Sequence, residues 1–185
     1  MITSIDFSIL DMIRENFSCS VLDNLMPMIT FLGNGGLIWI IASLAMMFSR
    51  KYRKNGIMLA AALICCLIVG NLLMKNIFAR SRPCWINDTV PLLIAVPQDY
   101  SFPSGHTMSS FAAAYIISCA SKRLGIAAYI LAILIGFSRL YLYVHFPSDV
   151  LGGIVLGTAA ALFSRVICKK IFEKTEKKRS EHIAK

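Results

Sequence analysis

The chain has 185 residues, of which 57% are hydrophobic, and its net charge at pH 7 is +9. Its mean hydropathy of +0.67 is far above that of a soluble domain of this size, which excludes an ordinary soluble protein and indicates one integral membrane domain, 1–185. The segment 1–17 has neither a basic start nor a long apolar core, so we do not expect a cleavable signal peptide.

The basic residues are distributed unevenly along the chain. They cluster in the segments 50–54 and 122–123, which separate apolar stretches, and in the tail 172–185. Under the positive-inside rule these segments are cytoplasmic. A basic tail that follows a span is ordinary membrane topology, so we expect no nucleic-acid partner. Four further cations lie near the opposite ends of the spans and are expected to face outward: Lys75, Arg80, Arg82 and Arg139.

The segment 1–17 places apolar side chains at near-helical spacing with charged residues between them. This pattern predicts an amphipathic helix that lies in the membrane interface. An ordinary helix packed on the bundle would show the same spacing.

Six apolar stretches predict six membrane-spanning helices with both termini in the cytoplasm. They cover residues 21–32, 37–48, 55–79, 104–120, 124–143 and 150–167. The first is the weakest, because it is short and contains an acid, an amide and a proline. The glycine-rich segment 33–36 predicts a tight turn. Gly153 and Gly157 have the G-x-x-x-G spacing that permits close helix approach.

Residues 80–103 interrupt the apolar pattern with four prolines, and they predict a long outer loop. The apolar run 92–96 within it either dips into the membrane surface or packs against the bundle. Alternation of the spans then puts this loop on the same side as Lys75, Ser104, Arg139 and the segment 145–149.

Three of the outward cations indicate a phosphate site. Lys75 lies in the last turns of its span, Arg82 follows seven residues later, and Arg139 belongs to another helix. Arginine offers planar, bidentate donors to phosphate, and lysine supplies a point charge. Snorkelling to the interface would explain any one of these cations alone, but not the whole set alongside two histidines.

The segment 103–106, Pro-Ser-Gly-His, adds backbone donors to this set. Ser104 and Gly105 begin a predicted helix directly after Pro103. Free N–H groups and the positive end of the helix make such a position an anion site. Glycine also lets an oxygen approach the backbone closely.

Two histidines and one carboxylate supply the predicted chemistry. Asp149 follows His145 by four residues, and its carboxylate could accept the Nδ1 proton and leave Nε2 free to attack phosphorus. His106 lies beside the helix-start anion site, where it could protonate the leaving oxygen and then take a proton from water.

The same residue types are also found in metal sites and in anion transporters. His106, His145 and Asp149 could form a two-histidine, one-carboxylate metal set. Three nearby cations would repel a divalent ion and no acidic cluster compensates, so we predict no metal and no other cofactor. A transporter of phosphate or anionic lipid would use the same cations, but it needs no histidine–carboxylate pair.

Together the three segments resemble the signature of the type 2 phosphatidic acid phosphatase superfamily. Its three parts match in residue type, order and internal spacing. They are Lys75-x6-Arg82-Pro83, then Pro103-Ser104-Gly105-His106, and then Ser138-Arg139-x5-His145-x3-Asp149.

The resemblance implies an all-α, six-helix membrane bundle that hydrolyses phosphate esters or anhydrides without a metal, through a phosphohistidine on His145. Asp149 would orient that histidine and His106 would act as the general acid. Soluble vanadium-dependent haloperoxidases share the superfamily, and the hydrophobic spans argue against that branch. The groups expected to hold the phosphoryl oxygens are Lys75, Arg82, Ser104, Gly105 and Arg139.

Within the membrane branch, so short a chain resembles bacterial undecaprenyl pyrophosphate phosphatases. Phosphatidylglycerophosphate phosphatases and lipid A phosphatases are similar alternatives. The resemblance implies a lipid phosphate or diphosphate as substrate, the bacterial plasma membrane as location, and a site that faces outward. We expect the loop 80–103 to shape the lipid entrance, while the sequence carries no signal for an oligomeric state.

Overall fold

The computed structural model describes residues 2–183, and every regular element in that range is helical. A 3₁₀ turn, Asn34–Gly36, joins α2 to α3, and a π-helical segment, Leu67–Met74, joins α4 to α5. The prediction of an all-α fold is therefore confirmed for the described residues. The helices are α1 (Ile2–Phe17), α2 (Ser20–Gly33), α3 (Leu37–Phe48), α4 (Arg53–Cys66), α5 (Lys75–Phe78), α6 (Pro83–Ile86), α7 (Gly105–Ala120), α8 (Lys122–Tyr141) and α9 (Pro147–Ile183).

Four helical stretches in the described range are long and apolar enough to cross a membrane. Two of them join several helices: one combines α2 with α3, and the other runs from α4 to α6. The stretches are Ser20–Phe48, Arg53–Ile86, Lys122–Tyr141 and Pro147–His182. The count of six crossings and the cytoplasmic termini stay predictions.

The predicted turn at 33–36 is confirmed. Gly35 and Gly36 have φ angles of 58° and 72°, in the left-handed region that favours glycine. The chain leaves helical geometry there, which separates α2 from α3 and brings Asn34 to the cavity described below.

The core of the bundle is built around α7, which packs against α4, α8 and α9. Its consecutive residues Ala112, Ala113 and Ala114 are fully buried, and small side chains let the neighbouring helices approach. Large apolar side chains such as Phe48 and Val21 lie on the outside instead. In water such a surface would be unfavourable, so it indicates contact with lipid.

The first helix packs on the bundle with part of its apolar surface. Leu10 and Ile13 are buried, whereas Ile5 and Met12 are about half exposed, and α1 contacts α8 and α9. The structure therefore shows the second alternative for the segment 1–17, a helix packed on the bundle. The interfacial location of 1–17 stays a prediction.

The segment 80–103 is less irregular than a simple loop. It contains the one-turn helix α6, which begins at Pro83, a residue suited to the first helical position. Leu92 and Ile94 pack against buried side chains that include Cys84 and Val144. Of the two alternatives for the run 92–96, the structure shows packing against the bundle.

The contact between α7 and α9 confirms the close approach predicted from the G-x-x-x-G spacing. A Cβ atom added at Gly157 would lie 2.2 Å from the carbonyl oxygen of Met108. We therefore expect Gly157→Ala to force the two helices apart and to lower the free energy of unfolding by about 1–3 kcal/mol. Thermal unfolding in detergent measures this effect.

Gly136→Ala is the matched control for that substitution. A Cβ atom at Gly136 would meet its nearest neighbours at 3.6–3.7 Å, an ordinary contact distance. We expect its unfolding temperature to stay near that of the unmodified protein. Equal unfolding temperatures for the two variants would contradict close packing at Gly157.

Candidate active site

Lys75 reaches the interior because of the helical segment that precedes it. The wide turns of the π-helical segment Leu67–Met74 shift the register of the residues that follow. Lys75 is buried, while its neighbours Asn76 and Ile77 are exposed. Segments of this kind are frequent at functional sites, and nothing in the hydropathy of the sequence reveals this one.

Arg82 is held by backbone carbonyl groups on two sides. Its Nε donates to the carbonyl oxygen of Asp99 at 2.6 Å, and its Nη1 donates to that of Val144 at 2.6 Å. The side chain is only 2% exposed. Its guanidinium group is therefore fixed in place, with Nη1 and Nη2 directed at other groups of the site.

Arg139, in the last turn of α8, retains free hydrogen-bonding capacity. Its Nη1 donates to Thr30 Oγ1 at 2.6 Å. Its Nε is a buried nitrogen with no hydrogen-bond partner among the described residues. An orphaned buried donor is costly, and an anion in the adjacent cavity would satisfy it.

His145 follows a strained position at the end of α8, where Tyr143 has a φ of 58°. Its Nε2 lies 3.1 Å from Arg82 Nη1. Because a guanidinium can only donate, Nε2 must accept, and the ring proton belongs on Nδ1. Burial, followed by the charges of Arg82 and Arg139, lowers the pKa of His145 well below its usual value. The imidazole is therefore neutral at pH 7.

Asp149 is fully buried behind His145 and has three close partners. Its Oδ1 accepts from Arg80 at 2.6 Å, and its Oδ2 accepts from Ser101 Oγ at 2.5 Å and from the Phe146 N–H at 2.8 Å. These contacts fix the carboxylate at the start of α9.

The hydrogen bond predicted between His145 Nδ1 and the Asp149 carboxylate is not formed in this structure. Nδ1 and Oδ2 lie 3.6 Å apart, beyond hydrogen-bonding range. Ser101 Oγ lies beside both groups, 3.4 Å from Nδ1. Ser101 was not identified from the sequence, because a serine in an irregular segment has no distinguishing pattern until the fold places it beside this pair.

His106, in the first turn of α7, is held by the turn between α2 and α3. Its Nε2 lies 2.8 Å from Asn34 Oδ1. A Cβ atom at Gly33 would come within 2.7 Å of the imidazole ring, so a larger residue there would displace this histidine from its present position. Neither Asn34 nor Gly33 was identified as part of the site from the sequence.

Ser104 and Gly105 occupy different depths at the start of α7. Ser104 is fully buried, its N–H donates to the Asp149 carbonyl at 3.1 Å, and its Oγ accepts from Thr107 at 3.0 Å. Gly105 lies on the cavity wall. The first N–H groups of α7 have no acceptor within the helix, so Gly105 and His106 present backbone donors to the site.

One cavity of about 800 Å³ collects these groups. Both imidazoles, those of His106 and His145, lie on its wall. The other predicted residues on the wall are Lys75, Arg82, Gly105 and Arg139. Asp149 and Ser104 lie behind this wall and support it. The structure therefore brings the predicted site residues together from five separate parts of the chain.

Asp99 is a charged member of the site that the sequence analysis missed. Its carboxylate pairs with Lys75 Nζ and accepts from Arg82 Nη2 at 2.7 Å. Burial raises the pKa of Asp99, but the hydrogen bonds and charges of Lys75 and Arg82 outweigh it and lower the pKa from 3.8 to about 2. The ion pairs of Asp99 therefore contribute fully to the stability of the folded state above pH ~4. That contribution is lost as the pH falls through about 2 and the carboxylate is protonated.

Asp99 occupies donors that an entering phosphate would need. We expect Asp99→Asn to tighten inhibition by inorganic phosphate or orthovanadate by about tenfold, because Lys75 and Arg82 would lose a competing anion. Inhibition constants measured at pH 7, where Asp99 is ionised, test this effect.

Asp88→Asn is the control, because Asp88 is exposed in the same segment and carries the same charge. Its inhibition constants should stay near those of the unmodified protein. Weaker inhibition of Asp99→Asn would show that the carboxylate builds the anion site rather than competing with its ligand.

A metal centre is not apparent at this site. The described part of the chain contains no group of three or more histidine, cysteine, aspartate or glutamate residues placed to hold an ion. The charged side chains on the cavity wall are those of Lys75, Arg82, Arg139 and one carboxylate, Asp99, and this excess of cations favours an anion.

Comparison with known families identifies the class of protein. The family model described as the PAP2 superfamily matches residues 55–173, which include the three motif segments. The chain belongs to this superfamily. The apolar helices and the membrane phosphatases to which it is similar indicate a multi-pass membrane protein of the lipid phosphatase type.

Individual relatives show how far the similarity extends. An undecaprenyl-diphosphatase from Sulfolobus acidocaldarius is 32% identical over 69% of this chain and 62% of its own length. Phosphatidylglycerophosphatase B from Bacillus subtilis is 35% identical over 74% of this chain and 70% of its own. The crystal structure of a transmembrane PAP2-type phosphatidylglycerolphosphate phosphatase from Bacillus subtilis superposes with a TM-score of 0.74 and 30% identity, covering 91% and 87% of the two chains.

Proposed function

We propose that this protein hydrolyses the phosphate ester or diphosphate group of a membrane lipid through a phosphohistidine on His145. The observation that carries the proposal is the state of His145 Nε2. Its one lone pair accepts from Arg82 Nη1, which would turn to a phosphoryl oxygen and release Nε2 when substrate binds, and His145 lines a cavity with three cations. A neutral imidazole beside an anion site is suited to attack phosphorus.

The reaction proceeds in two steps. In the first, Nε2 forms a bond to phosphorus, the bond to the leaving oxygen breaks, and His106, as the imidazolium that forms when the bound substrate anion offsets the nearby cations, gives that oxygen its proton. In the second, His106 takes a proton from water, whose oxygen attacks phosphorus and breaks the P–N bond to release inorganic phosphate. Asp149, with Ser101, stabilises the positive charge that His145 acquires.

The phosphoryl oxygens are held by groups that are already in place. Arg139 Nε is unpartnered, and the N–H groups of Gly105 and His106 begin a helix. Lys75 and Arg82 also line the cavity and add positive charge. Preorganised donors of this kind stabilise the charge that develops in the transition state. Ser104 contributes by anchoring the start of α7 to Asp149.

The apolar part of the cavity fits a lipid chain. Its lining runs along α4 and the π segment from Lys75 back to Ala60, about 20 Å at the helical rise, which exceeds half of a ~30 Å hydrocarbon core. The loop residues Ile94 and Val96 lie on the same wall, in accord with a lipid entrance there. The main apolar side chains are Phe31, Ile40, Leu44, Met47, Leu63, Ile64 and Leu67.

For the substrate we propose undecaprenyl diphosphate, which would be converted to undecaprenyl phosphate. Support comes from the relative named undecaprenyl-diphosphatase, which is 32% identical to this chain over the matched region. Phosphatidylglycerophosphate is the second candidate, because the phosphatidylglycerolphosphate phosphatase structure covers 91% of this chain.

We further propose that the protein lies in the bacterial plasma membrane with its site outward and the basic tail inside. The basic segments that follow the spans support this orientation. Trypsin added to inverted membrane vesicles should remove the lysine-rich end of α9, and trypsin added outside intact spheroplasts should leave it in place. The reverse pattern would overturn the orientation.

A phosphate-release screen with purified protein in EDTA tests the function. The substrates are a long-chain prenyl diphosphate, phosphatidylglycerophosphate and phosphatidate, and we expect the prenyl diphosphate to give the highest kcat/KM. Flux of phosphate or lipid across sealed vesicles without hydrolysis would instead favour a transporter. Preference for phosphatidylglycerophosphate would keep the mechanism and change the substrate.

A further inference from the structure

Asp6 is a buried carboxylate in the first helix, far in sequence from the motif segments. Only 3% of it is exposed. Its Oδ2 accepts from Arg80 Nη2 at 2.7 Å and from Ser148 Oγ at 2.6 Å, and its Oδ1 accepts from the Ser148 N–H at 3.0 Å. A buried charge with three such hydrogen bonds, from two residues, is fully paired, which indicates a specific structural role.

Arg80 connects this carboxylate to the active site. Its Nη1 donates to Asp149 Oδ1 and to Ser148 Oγ, both at 2.6 Å, while Nη2 holds Asp6. The guanidinium lies over the ring of Phe146, 4.2 Å from its centroid. Arg80 therefore bridges two carboxylates, and one of them is the partner of His145.

The helix that carries Asp6 lies outside the region 55–173 that defines the family. Leu10 and Ile13 already fasten that helix to the bundle by apolar packing. Apolar packing thus also attaches α1 to the bundle, whereas the contacts of the Asp6 carboxylate are all with Arg80 and Ser148, beside Asp149.

We propose that Asp6 is a positioning residue for the reaction: it fixes Arg80, which holds Asp149 Oδ1 and so keeps Oδ2 turned toward Ser101 and His145. This inference rests on the proposed function. Without Asp6, Arg80 loses the partner of Nη2 and the guanidinium can rotate away from Asp149. Phosphoryl transfer to His145 then slows, while the anion site formed by Lys75, Arg82 and Arg139 is untouched.

Steady-state kinetics of Asp6→Asn test the proposal. We expect kcat to fall between about 10-fold and 100-fold, the size of effect that a small misplacement of a reacting group produces. KM and the inhibition constant of inorganic phosphate should stay unchanged. Glu15→Gln, which removes an exposed acid from the same helix, should keep the original kcat.

Leu10→Ala separates positioning from a merely structural role, because it weakens the packing of α1 and leaves the charged network in place. We expect it to lower the unfolding temperature and to keep kcat per folded molecule. Asp6→Asn/Arg80→Met should be no slower than Arg80→Met alone, since both changes break the same link.

Three results would overturn the proposal: a full kcat in Asp6→Asn, a loss that only follows the folded fraction, or additive effects in the double variant. Failure of the unmodified protein to release phosphate from any substrate would instead reject the proposed function. The two failures are therefore distinguishable in the same set of assays.

Discussion

Replacing His145 with asparagine is expected to lower phosphate release by about 10⁴-fold or more, the range seen when a covalent nucleophile is removed. Asparagine has no lone pair at the position of Nε2, so no bond to phosphorus can form. The Arg82, Lys75 and Arg139 cations remain, and the variant should still bind inorganic phosphate. Phosphate release and equilibrium binding of phosphate measure the two effects separately.

His182→Asn is the control for that substitution. His182 is exposed near the end of α9, away from the cavity, and its replacement should leave the rate unchanged. A His145→Asn variant that keeps the full rate would contradict the covalent mechanism, because the reaction would then proceed without the proposed nucleophile.

Arg139→Lys is expected to lower kcat/KM by about 100-fold, a cost typical for removal of one preorganised donor to a developing oxyanion. Lysine keeps the charge but lacks the Nε–H that is unpartnered in this structure, and it cannot reproduce the planar fork. Inhibition by orthovanadate should weaken in parallel, because that ion resembles the five-coordinate phosphorus. Steady-state kinetics and vanadate inhibition provide both values.

Arg165→Lys is the matched control, since Arg165 donates to Tyr115 at 3.2 Å in a different part of the bundle. Its kinetics should stay close to those of the unmodified protein. If Arg139→Lys were equally active, Arg139 would serve only to hold Thr30, and the anion site would have to be redrawn around Lys75 and Arg82.

The sequence predicted most of the charged residues around the cavity because they occur in three local patterns with fixed spacing. His145 and Asp149 are four residues apart, and Lys75 and Arg82 are seven apart, so chain proximity alone indicates a common site. The predicted order of the spans then placed these residues at helix ends on one side of the bundle. In the structure the same residues lie around one cavity.

The residues that support the site could not be predicted in the same way. Asp6 contacts Arg80 across 74 residues, and Asn34 contacts His106 across 72. Contacts of this kind depend on how helices pack, and no spacing in the chain indicates them. Asp99 was missed for the same reason, since a lone acid in an irregular segment gains its meaning only from Lys75 and Arg82.

The fold shows a similar division between local and long-range information. Apolar stretches and the glycines at 33–36 and 153–157 indicated helices, a turn and a close contact, each of which is a local property. The π-helical segment that precedes the buried Lys75 packs against α7, where a Cβ atom at Gly70 would lie 2.7 Å from Met108 Sδ. Hydropathy does not distinguish it from an ordinary helical turn.

The central claim is that His145 carries the phosphoryl group between the two steps. Rapid quenching with a prenyl diphosphate labelled in its terminal phosphate, followed by peptide mapping, tests it most directly. We predict an acid-labile, base-stable label on the peptide that contains His145, and none in His145→Asn. Steady turnover with no labelled protein at any quench time, or a label on another residue, would contradict the account.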